Sequence, residues 1–175
     1  LALCLLLYLC VPCLSKKASA EIEELEIERI HLSISPDEYV TPYEENTSGQ
    51  ILKSIKLKSG IERNYNIYVP ENIKQNPEIK YPVLILLHGA GRTGASLVER
   101  WKELADQENI ILIGPHAINK VWSLQNKDID FVYELILDIQ NNYPADTKRT
   151  YLFSHSNGGL ISFFMAGIGS HIIAA

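Results

Sequence analysis

Residues 81–87 (Tyr-Pro-Val-Leu-Ile-Leu-Leu) and 110–115 (Ile-Ile-Leu-Ile-Gly-Pro) are unbroken apolar runs bounded by Pro and Gly. Each is far shorter than a typical helix. A continuous run of this kind fits a strand covered on both faces, as in parallel sheets. A third run, 149–153, precedes a helix-compatible segment at 157–167. Between them, Leu97, Trp101, Leu104 and Ala105 recur at helical spacing within 96–109. Phe131, Leu135 and Ile139 do the same within 128–142, with Asp128 the expected cap and Asp130 on a solvated face. Strands alternating with helices predict a parallel sheet with right-handed crossovers. Upstream, 51–58 and 63–69 alternate apolar and polar residues around a Ser59-Gly60 turn, which predicts an antiparallel pair. Residues 71–80 and 117–127 are expected to be loops, and His171 to open a further strand. The fold class is α/β, a mostly parallel sheet with an antiparallel N-terminal strand pair.

Ligands in such sheets sit beyond the carboxyl ends of the strands. Two stretches occupy that edge. One is Ser154-His155-Ser156-Asn157-Gly158-Gly159, an apolar run halted at a serine between small residues. It has the layout of a nucleophile elbow, G-x-S-x-G, with Ser156 central, Gly158 in the second glycine position and Ser154 where the first glycine is usual. The other is His88-Gly89-Ala90-Gly91-Arg92-Thr93-Gly94. A serine hydroxyl needs a base to take its proton and donors to hold the oxyanion that forms. The elbow offers the backbone N–H of Asn157. The glycine-rich loop offers a second N–H, assigned to Ala90, with His88, Gly89 and Gly91 supporting it.

Blander readings stand beside these. Ser156 is otherwise an ordinary strand-end serine. His155 diverges from its neighbour's hydroxyl and reads as core or pocket lining, and His88 as a brace for its loop. His31 and His116 have no partner at metal-ligand spacing, so no metal site is expected. Trp122 is pocket wall or core. The Gly89–Gly94 spacing fits a phosphate loop only in part, so no nucleotide cofactor is expected.

Taken together, Leu87-His88-Gly89-Ala90-Gly91, Trp122, Asp128-Ile129-Asp130-Phe131-Val132, Arg149-Thr150-Tyr151 and Ser156-Asn157-Gly158-Gly159 resemble the α/β-hydrolase superfamily. Within it they resemble the secreted polyhydroxybutyrate-depolymerase and feruloyl-esterase group. The resemblance runs from about 51 to 175. It implies the α/β-hydrolase fold and hydrolysis of small or polymeric carboxylic esters through an acyl-enzyme. By that similarity Ser156 is the nucleophile, and Ala90 and Asn157 form the oxyanion hole. The family also places an Asp or Glu and then a His after the nucleophile. Residues 157–175 hold no acid, and His171 stands where the family has no base, so it reads as structural. A partial hydrolase domain over 51–175, truncated at both ends, is the expectation. A serine peptidase or thioesterase on the same fold, or a non-catalytic hydrolase-like binding protein, are the rival expectations.

The rest of the 175-residue chain bounds its setting. Residues 1–14 are almost wholly apolar, and Lys16-Lys17 and Ala18-Ser19-Ala20 follow. This reads as a secretory signal peptide over 1–20, cut after Ala20, with an uncleaved anchor as the alternative. Residues 21–50 read as a linker. Export, to the outside or a periplasm, and no stable membrane insertion after cleavage are the expectations. The three cysteines, Cys4, Cys10 and Cys13, all lie in the leader. The mature chain would then carry neither a disulfide nor a thiolate nucleophile. Net charge is −5 with no basic stripe, which disfavours a nucleic-acid partner.

Overall fold

The computed structural model describes residues 49–174. The expected leader, nearly all of the expected linker, and His31 lie outside the described residues.

Five strands form one sheet: β1 Ile51–Lys56, β2 Glu62–Tyr68, β3 Tyr81–Leu87, β4 Ile111–Pro115 and β5 Ala145–Ser154. Their spatial order is β1-β2-β4-β3-β5. β2 is antiparallel to both β1 and β4, while β3 is parallel to β4 and to β5. The antiparallel character therefore extends one pairing further into the sheet than the strand pair expected from alternation.

The side chains of β3 divide by parity, as a pleat requires. Val83, Ile85 and Leu87 join one core with Ile111 and Ile113 of β4, and Leu86 joins a second with Leu112. Helix α3, Asp128–Asn142, and helix α4, Gly158–Ile168, supply Phe131, Leu135, Ile139, Ile161 and Met165 to the first core. Helix α2, Gly94–Glu108, supplies Val98 and Ala105 to the second. Both faces of β3 and β4 are thus covered, which is why their sequences run apolar without a break.

α2 begins where Thr93 accepts from the Ser96 N–H at 3.4 Å, and it ends at Asn109, in the left-handed conformation at φ +55°. Four expectations need correction. Residues 71–80 are not all loop: Glu71–Gln75 forms a short helix, α1, pinned by the buried Ile73. β5 begins at Ala145, four residues earlier than its apolar run, because Ala145 pairs with Tyr81 across a register shift. His171 lies in a turn after α4, not in a strand, and its Nε2 is 3.0 Å from the Tyr133 hydroxyl. Asp128 does not cap α3. Lys127 holds the cap position at φ +54°, and Asp128 is fully buried. Asp130 is exposed, as expected.

The reason for burying Asp128 is an ion pair. Its Oδ1 lies 2.6 Å from the Arg63 guanidinium of β2, with side chains 3% and 0% exposed. Its Oδ2 accepts from the Ser123 N–H at 2.7 Å. Arg63 also donates to the carbonyls of His116 and Asn126, and its guanidinium stacks 4.2 Å over the Phe131 ring. Removing one partner of such a pair leaves a buried charge, costing roughly 3–5 kcal/mol. The pair anchors both ends of the segment 116–127, which carries two 3-10 turns, Ile118–Lys120 and Leu124–Asn126. That segment is hydrogen-bonded to both of the loops described next.

Candidate active site

β3 ends at Leu87 and β5 at Ser154, which face each other in parallel register. The two following bends therefore leave the sheet side by side. The His155 N–H donates to the Leu87 carbonyl at 3.0 Å, extending the ladder by one residue. A Cβ placed on Gly89 would lie 2.8 Å from His155 Nδ1 and 3.4 Å from Ser156 Cβ. The glycine-rich loop and the serine bend are in contact at Gly89.

Ser156 turns the chain at φ +50°. This left-handed conformation costs a non-glycine residue roughly 1–2 kcal/mol, and strain of this kind gathers at functional sites. Ser156 is exposed, and α4 starts two residues later. The bend is closed by Gly158 N–H to His155 O at 3.0 Å and Gly159 N–H to Ser156 O at 2.8 Å. Gly158 sits so close beneath β3 that a Cβ would press on the Leu87 carbonyl and come within 2.9 Å of the His88 carbonyl oxygen. The small-residue requirement at this position is thus a backbone-to-backbone approach.

Ala90, next to Gly89, and Asn157, next to the serine, are both half-buried. Among the described residues, nothing accepts from the backbone N–H of either. Gly91, at φ +73°, turns the loop away and donates to the Lys120 carbonyl at 3.0 Å. The Ser154 hydroxyl lies 2.8 Å from that of Ser162, which is itself 3.2 Å from the Gly159 carbonyl oxygen. The residue that departs from the usual glycine is stitched to the first turns of α4.

His88 is fully buried. Its Nε2 accepts from the Ala117 N–H at 3.2 Å, so the ring proton sits on Nδ1 and points to the Gly89 carbonyl at 2.8 Å. A second ring proton would face the Ala117 N–H. Burial pushes its pKa down to about 4, only partly opposed by the bond to Gly89. With both ring nitrogens bonded and burial disfavouring its charged form, His88 is a neutral side chain joining Gly89 to Ala117. His155 is exposed and packs against Gly89. Trp122 is core: it is 1% exposed and its ring centroid is 5.0 Å from that of His88. His116 bonds Asn66 Oδ1 at 2.6 Å. Among the described residues no His, Cys, Asp and Glu cluster is arranged to hold a metal, and no helix is long and apolar enough to cross a membrane.

Sequence reasoning missed the Arg63–Asp128 pair and the tie between Asn157 and Trp122. The first had a signal. Arg63 shares its parity with Tyr65 and Ile67, and in β2 that parity faces inward.

This sheet order, with a strained serine bend after β5 and a glycine-rich loop after β3, is the α/β-hydrolase fold. Across an alignment 129 residues long, which covers 70% of this chain, it is 30% identical to a bifunctional acetylxylan esterase/xylanase of Neocallimastix patriciarum, of which it covers 19%. A thermostable esterase structure superposes with a TM-score of 0.61 at 21% identity, over 71% of this chain and 39% of that one. A poly(3-hydroxybutyrate) depolymerase from Bordetella parapertussis gives 0.58 at 19% identity, over 73% of this chain and 50% of that one. The chain thus spans half or less of these proteins. No protein-family model matches it.

Proposed function

We propose that this chain carries the nucleophile and the oxyanion hole of a serine carboxylic-ester hydrolase. The Ser156 Oγ attacks the ester carbonyl carbon while a histidine base takes its proton. The Ala90 and Asn157 N–H groups receive the negative charge that develops on the carbonyl oxygen. Collapse of the tetrahedral intermediate breaks the carbon–oxygen bond to the alcohol, which leaves with the proton from the base, and an acyl-serine remains. Water, activated by the same base, then releases the acid. The base and its orienting acid are assigned to residues other than those described. The observation that carries this reading is Ser156 itself, exposed at φ +50° against Gly89.

The curated relative's name makes acetylated xylan the first substrate to try, and small aryl acetates the first probes. Labelling the whole protein with a fluorophosphonate, followed by peptide mapping, should place the adduct on Ser156. Ser156→Ala should abolish both label and ester turnover. An adduct elsewhere, or none on intact wild-type protein, would favour a binding protein. Amide cleavage faster than ester cleavage would favour a peptidase. The leader supports export, with the mature chain beginning at Glu21. N-terminal sequencing of secreted protein checks this.

A further inference from the structure

Trp122 uses all three of its polar groups on the two bends of the site. Its backbone N–H donates to Asn157 Oδ1 at 2.7 Å, and its carbonyl accepts from Asn157 Nδ2 at 3.3 Å. Its indole N–H donates to the His88 carbonyl at 2.8 Å. The Asn157 side chain therefore closes a two-bond ring on the backbone of Trp122, spanning the peptide groups on either side of its Cα, which resists both rotation and sliding. The indole bond holds the carbonyl at the root of the other bend, two residues before Ala90. The segment bearing Trp122 is itself fixed by Ala117 N–H to His88, by Lys120 O to Gly91 and by the Arg63–Asp128 pair.

We infer that Trp122 and the Asn157 side chain are positioning residues, a crossbar that sets the separation of the Ala90 and Asn157 amides across the oxyanion. The inference rests on the esterase reading of the same site. An oxyanion hole works only when its donors are already placed where the charge develops. Small displacements of a positioned group cost as much as 100-fold in rate. The substrate's ground state binds mainly through other contacts, so a loosened crossbar lowers kcat and spares KM.

The test is made on the whole protein with an aryl acetate, counting active sites by fluorophosphonate titration. Trp122→Phe keeps an aromatic six-membered ring but removes the indole donor together with the five-membered ring that carries it. Asn157→Ala removes the ring closure, and Asn157→Asp keeps the shorter bond and loses the longer. The expected result is a loss of about 10-fold in kcat per titrated serine for Trp122→Phe and for Asn157→Ala, with KM within twofold. Asn157→Asp should fall between Asn157→Ala and the wild type, and the double variant should lose little more than the worse single one. Wild-type kcat per titrated serine in the single variants, even with a lowered Tm, would reduce the contacts to ordinary packing and overturn the inference. If Trp122→Phe does not fold, the two half-buried Asn157 variants decide. Ser156→Ala separates the two levels: activity surviving it sinks the esterase reading, whereas activity lost there but intact in the crossbar variants sinks only the crossbar.

Discussion

The two bends at the site solve one problem in opposite ways. Both must leave a parallel strand and turn sharply at its carboxyl end. After β3, the left-handed residue is Gly91, which has no side chain to strain, and the buried His88 braces the loop from below. After β5, the left-handed residue is Ser156, which bears the hydroxyl proposed as the nucleophile. Its glycine has moved two residues on, to Gly158, where it permits contact between α4 and β3. The first bend is relaxed and presents backbone. The second is strained and presents a hydroxyl. What keeps the second in place is the closeness of α4 to the end of β3.

The largest effect should come from breaking that closeness. In Gly158→Ala the new methyl meets the Leu87 and His88 carbonyls, both in backbone that cannot turn aside. The expected loss is at least about 3 kcal/mol, the upper end for overpacking, read as a fall in Tm or as failure to fold. The neighbouring Gly159 has nothing within 4 Å of an added Cβ. Gly159→Ala should instead gain about 0.5 kcal/mol from helix propensity. Equal losses at both glycines would mean that the approach to β3 is not what selects glycine here.

The relaxed bend has its own weak point, the neutral His88. Its pKa in the fold is about 4 against an ordinary value of 6.5. The unfolded chain therefore binds the proton first as pH falls. Stability is complete above about pH 6.5 and declines towards pH 4, by about 3 kcal/mol in total. Denaturant midpoints across that window should show the decline. His88→Gln, with no titrating group, should flatten it.

How much of this contrast was legible depends on the range of the contacts involved. β3 and β4 could be read because both faces are covered, which leaves no polar position in the run. The elbow could be read because its signal is local: a serine, small neighbours, and a strand before a helix. Helix α1 was not legible, since five residues with one buried side chain, Ile73, set no period. Asp128 stood at a helix start, and its acid was assigned to capping. Its actual partner, Arg63, is 65 residues away, and no local pattern joins them. Trp122 could not be placed for the same reason: what holds its backbone is Asn157, 35 residues further along.

Relieving the strain of the second bend tests the comparison from the other side. Ser156→Gly removes the unfavourable side chain at φ +50°, worth roughly 1–2 kcal/mol. It adds freedom to the unfolded chain, at about 0.4–1 kcal/mol. The net expectation is a gain of about 1 kcal/mol together with complete loss of ester turnover. Ser156→Ala keeps the Cβ and the strain, so its stability should match the wild type. A gain in the alanine variant as large as that in glycine would place the strain in the hydroxyl's surroundings and not in the backbone.

Ser154 offers the smallest effect and the finest distinction. It occupies the position where this motif usually has glycine, and on sequence alone that departure kept open the rival reading of a chain that binds without catalysing. In the structure its hydroxyl reaches Ser162 on α4, 2.8 Å away, and so adds to the same strand-to-helix closeness that holds Ser156. The bond is half-buried, which puts its worth near the low end for a neutral pair, about 0.5 kcal/mol. Ser154→Ala should lower Tm by about a degree or two, a scale set by about 2–4 °C per kcal/mol in chains of 150–250 residues. Ser162→Ala should cost somewhat more, since it also loses the contact to the Gly159 carbonyl, and the double variant should lose no more than Ser162→Ala alone, because the two hydroxyls share one bond. The fluorophosphonate labelling rate of Ser156 should be unchanged in all three. A labelling rate that fell with the bond would make Ser154 part of the chemistry, and the strain at Ser156 would then depend on the sheet's last residue as well as on the seat of α4.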